Sequence, residues 1–365
     1  MEIIMEYTNL TGKAALFMGA DKPFDVVEYP VSSPEKGYAL LKLKASGICG
    51  TDLHIRHGRL GQNVPRIIGH EFIGEVADIN CDDSDVKIGD TVIFNMATPC
   101  GKCKLCTDGD SANCLHFEVA YDNDPTAAPH FFGGYGEYCY AKASRKSGNL
   151  IKIPDGVDVL SASMFPCAGP TIIHALKLGG IFGSKGAGVE NAVVQGAGPL
   201  GLFASIWLSK CGVKNIYTVM SSTKSARAQN VRTLSDATPI SFDELDKMIA
   251  DGFTSDLCIE CSGNPAAFLT GCNVLQNRGK YLIPGQYSDS GNISFGPQMI
   301  TFKALQLIGS SQYDASDVAD YISFLDNSRD ILPALAKCVK TFPVCEINEA
   351  LACSERHEWA KVVLI

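Results

Sequence analysis

The chain has 365 residues, of which 46% are hydrophobic and 19% are charged, and its formal net charge is −9. This length and composition predict a globular protein of two domains. The negative charge and the lack of basic clusters argue against a nucleic-acid partner. No eighteen apolar residues occur in a row, so no membrane partner and no transmembrane helix are expected.

The first six residues lack the positive charge and the apolar run of a secretory signal. Fifteen cysteines are present in the chain. Free thiols are common in proteins of reducing compartments, whereas secreted disulfide frameworks are shorter and denser in cysteine. We therefore expect a cytoplasmic protein.

The first 160 residues are predicted to be rich in β-structure. Short strands with alternating apolar residues are expected at 38–44, 72–77 and 87–94, and glycine and proline separate them. Residues 116–134 contain several turn-forming sequences, which predict a long loop.

Three fragments in the first half carry side chains that can bind metal or move protons. They are Gly47-Ile-Cys49-Gly-Thr51-Asp52-Leu-His54, then Gly69-His70-Glu71, and then Cys167 within Phe165-Pro-Cys-Ala-Gly. Each has an ordinary explanation when taken alone: a buried thiol, a turn histidine and a small core residue. Only their combination with the other motifs of the chain points to one shared site.

A second group of cysteines has metal-ligand spacing. Cys100, Cys103, Cys106 and Cys114 follow the pattern C-x2-C-x2-C-x7-C. Four thiolates form the closed tetrahedral cage that structural zinc prefers. An iron–sulfur cluster also uses four cysteines, but its bacterial signature has a shorter last gap followed by proline. The pattern predicts a structural zinc lobe over residues 99–115.

From about residue 190 the pattern changes to alternating strands and helices. A continuous apolar strand is predicted at 191–195, and a glycine-rich turn and a helix to residue 210 follow it. Further strands are expected at 216–219, 257–260, 280–283 and 305–308. This alternation predicts a doubly wound parallel sheet. Residues 359–365 predict a last strand that can return to the first domain.

The turn after strand 191–195 has the G-x-G-x-x-G pattern of a dinucleotide site. It reads Gly196-Ala-Gly198-Pro199-Leu200-Gly201. The first glycine permits the tight turn, the second lets backbone amides approach a pyrophosphate, and the third lets helix and strand pack closely. The helix N-terminus adds unpaired N–H groups and a partial positive charge. An ordinary strand–helix turn is the alternative.

The end of the next strand bears on the choice between NAD and NADP. Ser221, Ser222 and Lys224 follow it, with Arg227 one turn later, and no carboxylate is present. An NAD site places an acidic residue here to bind the ribose hydroxyls. Hydroxyl groups and a lysine suit a 2′-phosphate better, so the sequence favours NADP over NAD. Alternatively, Lys224 is simply solvated at a helix start.

Together these motifs resemble the zinc-containing medium-chain alcohol dehydrogenase family over essentially the whole chain. The resemblance implies an α/β protein with a β-rich GroES-like catalytic domain at 1–167, a Rossmann cofactor domain at 168–312 and a return to the catalytic domain at 313–365. It also implies hydride transfer between an alcohol and NAD(P), interconverting the alcohol and an aldehyde or ketone.

The resemblance further implies the ligands of a catalytic zinc. Cys49, His70 and Cys167 match the three protein ligands, with the fourth position open to substrate. Glu71 matches a carboxylate that approaches the metal while ligands exchange. Polyol dehydrogenases of the family use glutamate as third ligand, so Cys167 places this chain in the alcohol and cinnamyl-alcohol branch. With the four-cysteine lobe, two zinc ions per chain are expected.

The same resemblance implies a route for the substrate proton. Thr51 matches the residue that hydrogen-bonds the substrate oxygen, and His54 matches the histidine that passes the proton to solvent via the cofactor ribose. Asp52 is expected to accept a hydrogen bond from His70 and to orient its ring. His57 has no role in the family pattern and is predicted to be a surface residue.

The predicted partner is a small alcohol, aldehyde or ketone. Leu60, Met96 and Tyr135 are carried over as walls of the substrate pocket, with the loop 116–134 as a lid. These walls suit a bulky or aromatic substrate, although the aromatic residues of the loop could equally pack only the loop itself. Gly50 stands where liver-type enzymes carry an arginine for the pyrophosphate. Family resemblance also implies a homodimer or homotetramer.

Two other functions remain open from the sequence. One is a zinc-independent reductase of activated carbon–carbon double bonds, which the same fold supports. Such relatives typically lack the metal ligands or the proton relay that this chain retains. The other is a non-catalytic nucleotide-binding structural protein, which would need none of these side chains.

Overall fold

The computed structural model describes residues 6–61, 64–119, 124–183, 188–287 and 290–365. The chain forms two compact units, one of residues 1–167 and 313–365 and one of residues 168–312. No helix within these described ranges is both long and apolar enough to cross a membrane.

The first part of the first unit is mainly β-structure. Its elements are β1 (Thr11–Leu16), β2 (Asp25–Pro30), β3 (Tyr38–Gly47), α1 (Gly50–Arg56), β4 (Glu71–Asn80), β5 (Thr91–Phe94), β6 (Ala97–Thr98), α2 (Lys104–Thr107), β7 (Glu118–Val119), β8 (Tyr138–Lys142), β9 (Leu150–Lys152) and α3 (Val159–Ala162).

The second unit alternates helices and strands. Its elements are α4 (Ala168–Leu178), β10 (Asn191–Gln195), α5 (Pro199–Lys210), β11 (Asn215–Met220), α6 (Ala226–Leu234), β12 (Thr238–Ser241), α7 (Phe242–Ala250), β13 (Ser255–Glu260), α8 (Pro265–Val274), β14 (Leu275–Ile283), α9 (Gln298–Lys303) and β15 (Gln306–Gly309). The chain then re-enters the first unit with α10 (Ala315–Asn327), α11 (Leu332–Ala336), β16 (Val339–Phe342), α12 (Ile347–Glu355) and β17 (Lys361–Leu364).

The main sheet of the first unit has the strand order β16-β17-β3-β4-β5-β9, and β8 pairs with β3. Strands β3 and β4 are antiparallel, and Gly47 at the end of β3 lies opposite Glu71 at the start of β4. Strand β17 pairs with β3 on its other side, with Val363 opposite Gly47. This register brings the residues after β3, those at the start of β4 and those in β17 to one end of the sheet.

The second unit contains a six-stranded sheet in the order β12-β11-β10-β13-β14-β15. Every pairing in it is parallel. The strand order reverses between β10 and β13, which is where a doubly wound sheet opens its ligand crevice. The predicted α/β class, with a β-rich part and a doubly wound parallel sheet, is confirmed.

The predicted strand 87–94 is too long at its start. The structure begins β5 at Thr91. The preceding residues form a turn, in which the Asp90 amide donates to the Lys87 carbonyl at 3.0 Å and the Lys87 amide donates to the Asp90 carboxylate at 2.9 Å. Local hydrogen bonds of this kind compete with strand pairing at aspartate.

Candidate metal and cofactor sites

One buried cluster unites the three fragments singled out in the first half of the sequence. Cys49, His70, Glu71 and Cys167 each present a ligand atom, and these atoms all lie within 4.8 Å of one another. The β3–β4 register explains the approach of the first three, because Cys49 follows the end of β3 and His70 precedes the start of β4. His70 and Glu71 are 2% and 1% exposed.

A hydrogen bond joins the two sulfurs of this cluster. A hydrogen bond from Cys167 lowers the pKa of Cys49 well below the usual range of a thiol, and His70 adds to this effect. The same hydrogen bond raises the pKa of Cys167 well above that range. Thiols bind a metal ion as thiolates, so binding of a cation here would release protons.

The carboxylate of Asp52 orients His70. The Nδ1 atom of His70 lies 3.4 Å from Oδ1 of Asp52, and both side chains are buried. Burial lowers the pKa of His70, but Asp52 and Cys49 outweigh it and raise that pKa well above the usual range. The Cys49 amide donates to the other oxygen of Asp52 at 2.8 Å. A histidine whose Nδ1 faces a carboxylate presents Nε2 to a metal.

Tyr135 does not form a pocket wall, contrary to the sequence prediction. Its side chain is completely buried. A Cβ on Gly69 would lie 2.5 Å from its ring, so the ring packs directly against that glycine. Burial raises the pKa of Tyr135 well above its usual range, and the nearby Asp52 adds to the shift. Tyr135 therefore packs behind the cluster. Leu60 and Met96 are half-buried and pack against the two cores of the first unit.

A buried ion pair lies beside the cluster. The Nζ atom of Lys361, the first residue of β17, donates to Oε2 of Glu71, and both side chains are at most 2% exposed. Burial and, to a smaller extent, the nearby Cys49 raise the pKa of Glu71 to about 7, and Lys361 opposes this rise. A Cβ on Gly47 would come within 2.5 Å of the Lys361 side chain, so glycine there leaves room for the pair. Sequence reasoning missed Lys361, which is 290 residues from its partner.

The two residues of the predicted proton route lie on helix α1. Thr51 Oγ1 is 3.7 Å from the Cys49 sulfur. His54 follows three residues later on the same helix face, and it is half-buried. Burial lowers the pKa of His54, and Arg59 lowers it further. A neutral imidazole at pH 7 is able to accept a proton.

His57 is at the surface, as predicted, with its side chain 42% exposed. Its ring joins two chain segments, because Nδ1 lies 2.8 Å from Asp21 and Nε2 lies 2.8 Å from Glu355. These contacts raise the pKa of His57.

The four-cysteine lobe also converges. Ligand atoms of Cys100, Cys103, Cys106 and Cys114 all lie within 4.8 Å of one another. Backbone amides donate to the sulfurs, such as Cys103 N to the Cys100 sulfur at 3.4 Å and His116 N to the Cys114 sulfur at 3.3 Å. Backbone hydrogen bonds lower the pKa of Cys103 to about 6. Four sulfurs with amide donors form a donor set that fits a structural zinc ion.

The glycine turn after β10 fits a dinucleotide phosphate. Gly196 has φ +98°, and a Cβ on Gly201 would lie 1.8 Å from the Gly196 carbonyl oxygen. A Cβ on Gly198 would meet open space, and no side chain caps the start of α5. Helix α5 begins with Pro199 and Leu200. The backbone N–H groups of its first turn, from Leu200 onward, face an open position where an anion would be stabilised.

The residues after β11 include a partly buried arginine, Arg227, one turn beyond Lys224. Ser221, Ser222 and Lys224 are exposed, whereas Arg227 is half-buried. Burial lowers the pKa of Arg227, and among the described residues its guanidinium takes part in no ion pair. A desolvated guanidinium without a carboxylate partner suits a phosphate ligand.

The predicted lid packs against the first unit where the structure describes it, while its residues 120–123 lie outside the described ranges. The His130 ring stacks on Tyr29 with centroids 4.2 Å apart, and its Nδ1 atom is 2.8 Å from the Pro125 carbonyl oxygen. Phe131 is completely buried. These contacts favour the interpretation that the aromatic residues pack the loop itself.

Comparison with known proteins agrees with this geometry. Residues 35–155 match the family described as alcohol dehydrogenase GroES-like domain, and residues 199–327 match the zinc-binding dehydrogenase family. A sorbitol dehydrogenase from Halalkalibacterium halodurans is 28% identical over 93% of this chain and 95% of its own length. An L-threonine 3-dehydrogenase from Escherichia fergusonii is 30% identical over 76% of this chain and 79% of its own. The crystal structure of an alcohol dehydrogenase from Thermotoga maritima superposes with a TM-score of 0.86 at 25% identity, covering 98% of this chain and 99% of that one.

Proposed function

Because this chain belongs to the zinc-containing medium-chain alcohol dehydrogenase family, we propose that it interconverts a secondary alcohol and a ketone with NADP(H) at a zinc ion held by Cys49, His70 and Cys167. NAD(P)-dependent alcohol oxidoreduction follows from family membership. The metal, its ligands, the preference for NADP and the substrate class are the proposal. The convergence of the four donor groups within 4.8 Å supports it most directly.

The donor set fits zinc by its chemistry. Two sulfurs and an imidazole are ligands that zinc prefers, and three protein ligands leave one position for substrate. Asp52 fixes the imidazole that would bind the metal. When bound, zinc supplies Lewis acidity that polarises the substrate oxygen. With the Cys100–Cys114 lobe, the proposal requires two zinc ions per chain.

The chain's own residues provide a path for the substrate proton. Thr51 Oγ1 lies beside the Cys49 sulfur, where it can hydrogen-bond the hydroxyl of an alcohol, and the neutral ring of His54 on the same helix can take up the released proton. The lowered pKa of His54 favours release of that proton to solvent. NADP supplies the acceptor for the hydride that leaves the carbinol carbon.

The relatives support a secondary alcohol as substrate. An L-threonine 3-dehydrogenase oxidises a secondary hydroxyl, and sorbitol is a polyol. The branch of the family remains a prediction, because Cys167 matches the alcohol and cinnamyl-alcohol pattern while these two relatives are named for threonine and a polyol. The aromatic residues of the loop 116–134 were one reason to expect a bulky aromatic substrate. His130 and Phe131 pack within the first unit instead, so they no longer support that expectation.

A homodimer or homotetramer in the cytoplasm completes the proposal. Strand β15 is at the edge of its sheet, where it can pair with another copy. All fifteen cysteines are free thiols, which suits a reducing compartment.

The direct test assays the purified protein with matched primary and secondary alcohols, with NADP and NAD in turn, and counts its metal. We expect two zinc ions per chain and faster turnover of secondary alcohols with NADP. Reduction of activated carbon–carbon double bonds after the catalytic zinc is lost would support the zinc-independent reductase instead. Cofactor binding without turnover of any alcohol would support a non-catalytic protein.

The cofactor preference is tested at Arg227. We expect Arg227→Gln to weaken NADP binding about tenfold to a hundredfold, because a charge-assisted hydrogen bond to the 2′-phosphate is lost, and to leave NAD binding nearly unchanged. Quenching of the protein's intrinsic fluorescence on titration with NADP and with NAD measures both constants. Arg232→Gln is the matched control, since Arg232 lies on the same helix and donates instead to the Thr223 carbonyl at 2.8 Å. Equal weakening of both cofactors would contradict the assignment.

A further inference from the structure

The second unit buries one carboxylate that the proposed reaction does not use. Glu260 ends strand β13 and is 0% exposed. Among the described residues it forms no ion pair with lysine, arginine or histidine, although a buried charge is costly unless it is well compensated. The presence of a buried carboxylate at this position therefore needs an explanation.

Hydrogen-bond donors of the loop that follows β13 contact this carboxylate. Oε1 accepts from the Ser262 amide at 2.7 Å, from the Ser262 hydroxyl at 2.5 Å and from the Gly263 amide at 3.1 Å. Oε2 accepts from the Gly263 amide at 3.2 Å. A surrounding of donors suits the anion, because a protonated carboxyl would direct its own hydrogen at one of them. The negative charge also contributes to the raised pKa of Cys261, which burial causes in the first place.

Two glycines, one after β14 and one in the dinucleotide turn, allow close packing around Glu260 and the loop that follows it. A Cβ on Gly285, just after β14, would lie 2.0 Å from Oε2 of Glu260. A Cβ on Gly196, in the dinucleotide turn, would lie 3.1 Å from the backbone nitrogen of Ser262. The Glu260 loop is therefore packed directly against the turn that would receive the pyrophosphate.

The topology indicates which half of a dinucleotide lies near Glu260. In this fold the crevice opens where the strand order reverses, here between β10 and β13. The adenosine ribose binds beyond the first strand, on the side of β11, so the nicotinamide half belongs over β13 and β14. Glu260 is at the carboxyl end of β13, on that nicotinamide side.

We propose that Glu260 selects the oxidation state of the cofactor, binding the cationic nicotinamide of NADP⁺ more tightly relative to the neutral ring of NADPH. This inference rests on the proposed function, since it requires a nicotinamide cofactor in this crevice. The charge acts through space on the bound ring and favours the cofactor form needed for alcohol oxidation. Because the interaction differs between the two forms, it changes the ratio of their affinities.

The test measures dissociation constants of NADP⁺ and NADPH for the zinc-loaded protein, by intrinsic and cofactor fluorescence. In Glu260→Gln the ratio of the NADP⁺ constant to the NADPH constant is expected to rise about three- to tenfold, the range for one unit charge at the effective dielectric constants near protein surfaces. Ser262→Ala is the control, because it removes a hydrogen bond from the same loop and retains the charge. Its ratio is expected to stay within about twofold of the wild type.

An unchanged ratio of the NADP⁺ and NADPH dissociation constants in Glu260→Gln would overturn the inference. A rise of the same size in Ser262→Ala would also overturn it, because the order of the loop and not the charge of Glu260 would then set the ratio. If Glu260→Gln fails to fold, Ser262→Lys places an ammonium at an exposed position beside the carboxylate and is expected to raise the ratio. An unchanged ratio there would equally reject the charge effect. Failure of the wild type to bind either cofactor would instead refute the proposed function.

Discussion

Cys49→Ala is expected to lower kcat/KM for alcohol oxidation by at least about a thousandfold, because it removes one sulfur from the site where a metal would polarise the substrate oxygen. The loss should be accompanied by one zinc ion per chain, with the ion of the four-cysteine lobe retained. NADPH binding should change little, since the glycine turn and Arg227 lie in the second unit. Metal analysis, steady-state kinetics and cofactor titration on the same preparation measure the three effects.

Cys345→Ala provides the matched control for this experiment. Cys345 is an exposed free thiol that belongs to neither cysteine cluster. It should retain full activity and both zinc ions. Alcohol oxidation by Cys49→Ala at a rate close to that of the control would separate the chemistry from the metal cluster and refute the mechanism.

Lys361→Met is expected to destabilise the protein by about 3–5 kcal/mol, since it leaves the buried Glu71 carboxylate without its cation. Glu71 lies beside the sulfurs of Cys49 and Cys167. Among the described residues it has no ion-pair partner of the lysine or arginine type besides Lys361. Removal of the ammonium should therefore also change how tightly the cluster holds zinc. Denaturant unfolding of the zinc-loaded protein measures the free energy, and competition with a chelator measures the zinc affinity.

The double variant Lys361→Met with Glu71→Gln separates charge from packing. It removes the unpaired carboxylate as well, so we expect it to recover a large part of the lost stability, as a double-mutant cycle on a coupled pair requires. Lys361→Arg keeps the charge and should be milder than Lys361→Met. If Lys361→Met were as stable as the wild type, the pair would not contribute to folding.

Motifs whose residues lie close together in the chain could be predicted in detail. The four cysteines of the lobe span fifteen positions, so their spacing alone constrains the geometry of the loop. The glycine turn is equally local, and strand 191–195 coincides with β10. The fragments with Cys49, His70 and Cys167 required a family resemblance, because their spacing along the chain does not determine their distance in space. The structure brings their ligand atoms within 4.8 Å of one another.

Long-range packing decided the rest. The Glu71–Lys361 pair joins residues 290 positions apart, and it exists because β17 and β4 flank the same end of β3. Tyr135 became a buried residue packed beside Asp52, and Glu260 became a buried carboxyl group at the reversal point of the sheet. The sequence by itself determined the fold class, the glycine turn and the metal-binding residue types, since these depend on short-range chain geometry and ligand chemistry. Only the tertiary structure decided which charges are buried and paired, because desolvation and partner choice depend on elements that meet after the chain has folded.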